Sequence, residues 1–167
     1  MEAIVCGIDP GLKITGYALI QSAARPEVVD AGVCRFDEKL PLADRLVALD
    51  HDIAAILTEH SPDTVAVEQL YAHYKHPRTA ILMGHARGVI LLAARRLGIE
   101  VRSYPSTQVK RYLTGNGRAS KQQVQRAVQT TLGLTERPEP SDLADAIAIA
   151  LCSAFDLARE VAVGAVR

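Results

Sequence analysis

The chain has 167 residues, 49% hydrophobic and 23% charged, with a formal net charge of zero. This composition is that of an ordinary soluble globular protein, and the length suits one domain, residues 1–167, with a full-sized core. Asp9 interrupts the N-terminal apolar run, and His85 and Arg87 interrupt the apolar stretch Thr79–Ala94, so neither a secretory leader nor a membrane span is expected and the cytoplasm is the expected compartment.

Ala3–Asp9 reads as a short buried strand, Gly16–Gln21 as a second after a glycine-rich turn, and Ala31–Phe36 as a third. Leu42, Leu46, Leu49, Ile53, Ile56 and Leu57 recur at helical spacing, which predicts a helix over Leu42–His60 that Pro62 stops. Thr64–Glu68 is strand-like, Tyr71–Arg78 a polar loop, and Thr79–Leu97 a long helix with Gly98 as its stop. Ile99–Tyr104 reads as a strand closed by Pro105. Ser120-Lys121-Gln122-Gln123 has the form of a capping box, opening a helix over Lys121–Leu132. After Pro138 and Pro140, Ser141 is the expected cap of a helix reaching about Val163. Three successive strands predict a meander, and later strands alternating with helices predict parallel additions: a mixed α/β sheet flanked by helices.

Cys6, Cys34 and Cys152 lack close spacing and read as free thiols in a reducing compartment. The five histidines lack zinc-ligand spacing with them. Charge is polarised along the chain. Arg95–Arg126 carries eight basic residues and one acid, whereas Glu27–Asp63 carries nine acids and three bases. A basic face for phosphates is therefore compatible with a neutral total, and so is solvated helix surface.

Four acids stand beside apolar sequence, where an unpaired charge is expensive to bury. Asp9 and Glu68 end predicted strands. Asp142 and Asp145, three apart in a first helical turn, share a face and favour the positive helix end. Asp9 has a plain structural role open to it as a turn residue and the pair as caps, whereas glutamate has few structural reasons to end a strand. Together they form a candidate site for two hard divalent cations, with Asp9 as the bridging ligand. Gly7, Gly11 and Gly16 surround Asp9 and would either let the backbone approach a phosphate or form a tight hairpin. Neither a Walker lysine nor a dinucleotide fingerprint is present. Gly84 and Gly88 lie one turn apart on a helix whose apolar surface exceeds the needs of one sheet face, which predicts a twofold interface, the alternative being a helix fully buried in the monomer.

Gly7-Ile8-Asp9-Pro10-Gly11 with Thr15-Gly16-Tyr17, then Val67-Glu68-Gln69, Ala86-Arg87-Gly88-Val89, Gln108-Val109-Lys110, Gly115-Asn116-Gly117 through Lys121, and Asp142-Leu143-Ala144-Asp145-Ala146 follow one another in order. This ordered set resembles the RuvC Holliday-junction endonucleases from about Ala3 to Cys152. The resemblance implies a ribonuclease H-like fold and a homodimer that makes paired, symmetric nicks in strands of like polarity at four-way junction DNA. It also implies 5′-phosphate and 3′-hydroxyl ends, a role in recombination and repair, and partnership with the RuvA–RuvB branch-migration complex. By resemblance Asp9, Glu68, Asp142 and Asp145 hold two Mg²⁺ ions, with Mn²⁺ as the alternative, and are catalytic together with Lys121. Lys110 also matches a lysine near the cut. Tyr71 matches an aromatic near the crossover, and its ring would either stack on an unpaired base or rest on the core. Lys75, Arg78, Arg111 and Arg118 are the further expected DNA contacts, by their basic charge. The loop His73–Arg78 departs from the family pattern.

Two other classes share parts of the pattern. An actin-like sugar or acetate kinase has the early acid and glycine turn but normally uses two such domains. A non-catalytic DNA-binding module would gain nothing from carboxylates beside phosphates.

Overall fold

The computed structural model describes residues 3–70 and 77–164. Its elements run β1 (Ile4–Asp9), β2 (Ile14–Gln21), β3 (Glu27–Arg35), α1 (Leu42–His60), β4 (Thr64–Glu68), α2 (Pro77–Arg96), β5 (Glu100–Tyr104), α3 (Ser106–Thr114), α4 (Lys121–Leu132) and α5 (Ser141–Gly164). The five strands form one sheet in the order β3-β2-β1-β4-β5. The first three pair antiparallel, as the expected meander, and β4 and β5 join β1 in parallel.

Alternation along each strand divides the core between the two faces of the sheet. Val5, Ala18, Ile20 and Ala66 point toward α5, which carries Ala146, Ile147, Ala150 and Leu151, with α3 and α4 adding Val109, Val124 and Val128. Cys6, Ile8, Leu19, Val65 and Val67 point the other way, onto Leu49, Ile53 and Leu57 of α1 and Ala86, Ile90 and Ala94 of α2. The three cysteines are free and buried.

The α5 face is built from small residues. A Cβ at Gly7 would overlap the Ala146 carbonyl oxygen and lie 2.5 Å from the Ala150 nitrogen. At Gly16 it would overlap the carbonyl of Asp142. These two glycines therefore bring α5 down onto β1 and β2, and they serve helix packing rather than phosphate approach. Among the three glycines around Asp9, Gly11 alone lines the cleft described below.

Several elements differ from the sequence expectation. β3 begins at Glu27, four residues early, because an edge strand with exposed Val28 and Val29 lacks a buried alternation to read. β2 begins at Ile14, which pairs with Arg35. Pro77 and Arg78 belong to α2, with proline in the first turn, where its missing N–H costs nothing. Gly98, at φ +76°, ends that helix: Ile99 N–H donates to Ala94 and Gly98 N–H to Arg95 in a Schellman arrangement. The cap of α5 is Pro140, whose carbonyl accepts from Leu143 and Ala144, so Ser141 is already helical. Helix α3 was not expected from the sequence. It has nine residues and buries only Val109, too little for a periodic signal.

Candidate active site

Asp9 reaches the site from the end of β1 and Glu68 from the end of the adjacent, parallel β4. Asp142 and Asp145 come from the first turns of α5, which crosses the same strand ends. All four line one cleft of about 570 Å³, together with Lys13, Ser106, Lys110 and Lys121. The cleft thus lies at the carboxyl ends of β1 and β4, where side chains from the sheet and from helix starts converge.

The turn between β1 and β2 is fixed from several sides. Thr15, fully buried, donates its hydroxyl to the Gly11 carbonyl at 2.6 Å and accepts from Gly11 N–H at 3.1 Å. Lys13 carbonyl accepts from Phe36 N–H, and Leu12 carbonyl from the Arg45 guanidinium. Asp9 pairs across the hairpin with Gly16, and Gly16 lies beneath Asp142. One register therefore sets two of the four acids against each other.

Three helices begin at the cleft. Ser106 opens α3, Lys121 opens α4 and Asp142 lies in the first turn of α5. Their N-terminal partial charges favour anions. The capping box expected at Ser120 is present: Ser120 accepts from Gln123 N–H at 3.2 Å, and Ser120 N–H donates to the Gln123 side chain at 2.8 Å. It anchors Lys121, whose Nζ stands 3.6 Å from Asp145 Oδ2.

The acids sit in electrostatic conflict. Burial, then the charges of Asp145, Glu68 and Asp142, pushes the Asp9 carboxyl up to about 8, against a lowering by Lys121. Burial and Asp145 also raise Glu68, while a hydrogen bond with Ser106 and the charges of Lys110 and Lys121 pull it down. Asp145 is raised by burial, lowered by Lys121 and raised by Asp142. An all-oxygen, half-buried donor set whose members raise one another suits a hard divalent cation. Among the described residues no three histidine, cysteine or acidic side chains already close around a single point as metal ligands.

Of the expected basic residues, Lys110 and Lys121 line the cleft. Arg78, at the start of α2, and Arg111 and Arg118, flanking the α3–α4 turn, are exposed outside its lining. Tyr71 and Lys75 lie outside the described residues. Lys13 and Ser106 were not singled out from the sequence. Lys13 could have been found as a cation within four residues of Asp9, but Ser106 only through α3. No helix of the described residues is long and apolar enough to cross a membrane.

A profile of the family described as "Crossover junction endodeoxyribonuclease RuvC" matches residues 5–153. The chain is 48% identical over 152 residues to the crossover junction endodeoxyribonuclease RuvC of Rhodopirellula baltica, covering 90% of this chain and 85% of that protein. It is 46% identical to that of Desulfitobacterium hafniense, covering 92% and 93%. Among solved structures it is similar to Thermus thermophilus RuvC, with a TM-score of 0.86 at 34% identity over 94% of this chain and 96% of that one. The T. thermophilus protein in complex with a Holliday junction substrate gives a TM-score of 0.84 at 32% identity, with the same coverage.

Proposed function

The chain belongs to the RuvC family of crossover junction endodeoxyribonucleases, metal-dependent hydrolytic nucleases with a ribonuclease H-like fold, and on that premise we propose that it resolves Holliday junctions by paired, symmetric nicks. The observation that carries this reading is the convergence of Asp9, Glu68, Asp142 and Asp145 on one cleft beside Lys110 and Lys121. An actin-like kinase normally uses two such domains, and in a binding module this acidic quartet would repel the DNA phosphates. The T. thermophilus relative solved with a Holliday junction points to the same substrate class.

The four carboxylates would hold two Mg²⁺ ions, with Mn²⁺ as the alternative. When bound, these supply an activated water and offset charge on the leaving 3′ oxygen, giving 5′-phosphate and 3′-hydroxyl ends. Asp9, which feels the charges of the other three acids, would hold both ions. Lys121 balances Asp145 and stands ready to stabilise charge building on the phosphate. Ser106 and Lys110 favour the charged form of Glu68, against the burial and the Asp145 charge that raise it. Lys13, exposed at the cleft edge, and the exposed arginines Arg78, Arg111 and Arg118 would take backbone phosphates; by resemblance Tyr71 would meet the crossover, and Lys75 would add a further DNA contact by its charge.

A junction with twofold symmetry calls for two equivalent sites, and we assign the twofold contact to α2. Ile81 (63% exposed), Gly84, Gly88 and Leu92 (49% exposed) follow one stripe, and nothing lies within 4 Å of a Cβ placed at either glycine. That open, apolar, small-residue face admits a second copy closely. A branch-migration partner of the RuvA–RuvB type, cytoplasmic action in recombination and repair, and like-polarity nicking complete the reading.

The test is a labelled four-way junction incubated with the protein and Mg²⁺, beside EDTA and Asp9→Asn controls. Paired nicks lost in both controls support the reading. Binding without nicking in either Mg²⁺ or Mn²⁺ overturns it.

A further inference from the structure

Arg87, on α2, belongs to none of the cleft-lining residues, yet its side chain ends at the backbone of a catalytic acid. Its Nε–H donates to the Glu68 carbonyl at 3.1 Å, and its Nη2 donates to Ser103 Oγ of β5 at 2.6 Å. Glu68 needs such support. β1 stops pairing with β4 at Ile8–Val67, because the chain leaves the sheet after Asp9 for the hairpin turn. Glu68 is therefore one residue beyond the β1 ladder and is held on one side only, opposite Tyr104 of β5. Gln69 N–H extends that pairing by one bond, to the Tyr104 carbonyl at 2.8 Å.

We propose that Arg87 is a positioning residue: it ties α2 to the ends of β4 and β5 and so fixes the direction of the Glu68 carboxylate toward the other three acids. The planar guanidinium suits this task because two donors in a rigid fork set two acceptors at once, the exits of β4 and β5. Freed of it, Glu68 rotates with its own strand end, and the cost falls on cation binding before it falls on DNA binding. A purely structural arginine would instead cost stability and leave cation affinity alone. The inference rests on Glu68 being a cation ligand.

The experiment uses the full chain with Mn²⁺ as probe, counting free ion by electron paramagnetic resonance without DNA, in wild type, Arg87→Met, Arg87→Lys, Ser103→Ala and Glu68→Gln. Arg87→Met is expected to weaken Mn²⁺ binding about five-fold or more, with Arg87→Lys recovering part of it and Ser103→Ala falling between. In the cleavage assay kcat falls at subsaturating metal while KM for junction stays constant. Wild-type Mn²⁺ affinity in all Arg87 and Ser103 variants, whatever their melting temperature, overturns the inference. Should Arg87→Met fail to fold, Arg87→Lys and Ser103→Ala decide on the same readout. Wild-type affinity in Glu68→Gln would instead overturn the ligand role of Glu68, and this inference with it. Weakened binding in Glu68→Gln but not in the Arg87 variants overturns the positioning role alone.

Discussion

Gly16 lies directly beneath Asp142, so close that a Cβ on the glycine would overlap the aspartate's carbonyl oxygen and stand 2.5 Å from its carbonyl carbon. Gly16 is also the cross-strand partner of Asp9. One glycine thus sets the separation between an acid on the sheet and an acid on a helix. Gly16→Ala is expected to lift the start of α5, lower stability by about 1–3 kcal/mol and reduce nicking at least ten-fold. Denaturant unfolding and junction cleavage on the same preparation check this. Unchanged cleavage would show that α5 tolerates the displacement.

Asp9 links the metal-free fold to pH. Its folded-state value of about 8 is raised above the unfolded value, so the protonated form is the one the fold favours. The associated stability is present in full below about pH 4 and is lost as pH climbs through about 8. Asp9→Asn should escape this loss. In EDTA the variant should melt above wild type by a margin that widens over that window and then levels off. The margin corresponds to a few kcal/mol, or on the order of 5 °C or more. Saturating Mg²⁺ should narrow it, because only the wild type gains a ligand. A margin independent of pH between 4 and 8 would contradict the conflict among the carboxylates.

Lys121 has 72% of its side chain accessible, so its ion pair with Asp145 adds little stability. Lys121→Ala should leave the melting temperature within a degree or two and junction affinity in EDTA near wild type, yet slow nicking by about a hundred-fold. Equal losses in binding and cleavage would make it a phosphate anchor instead.

The α2 stripe predicts an oligomeric state. Ile81→Lys with Leu92→Glu should leave the circular dichroism spectrum unchanged and convert a dimer to a monomer in sedimentation. Junctions would then be nicked on one strand at a time. A dimer that survives both charges would place the twofold contact elsewhere.

The sequence by itself determined the acids and most of the elements that carry them. Asp9 and Glu68 are marked because apolar runs end on them, and Asp142 and Asp145 because a helix starts with them: local patterns that report local structure. The Ser120 capping box and the Gly98 stop were legible for the same reason. The tertiary structure alone decided what touches what. That Gly16 and Gly7 face α5, that Arg87 reaches back to Glu68, and that Ser106 bonds the Glu68 carboxylate depend on strand order and on contacts between residues far apart in the chain. Helix α3 belongs with these, since one buried valine leaves no periodicity and the helix forms because the core beside α5 and α4 receives it. A period along the chain encodes which side of an element is apolar. It does not encode which element covers that side, and the site is assembled from that second choice.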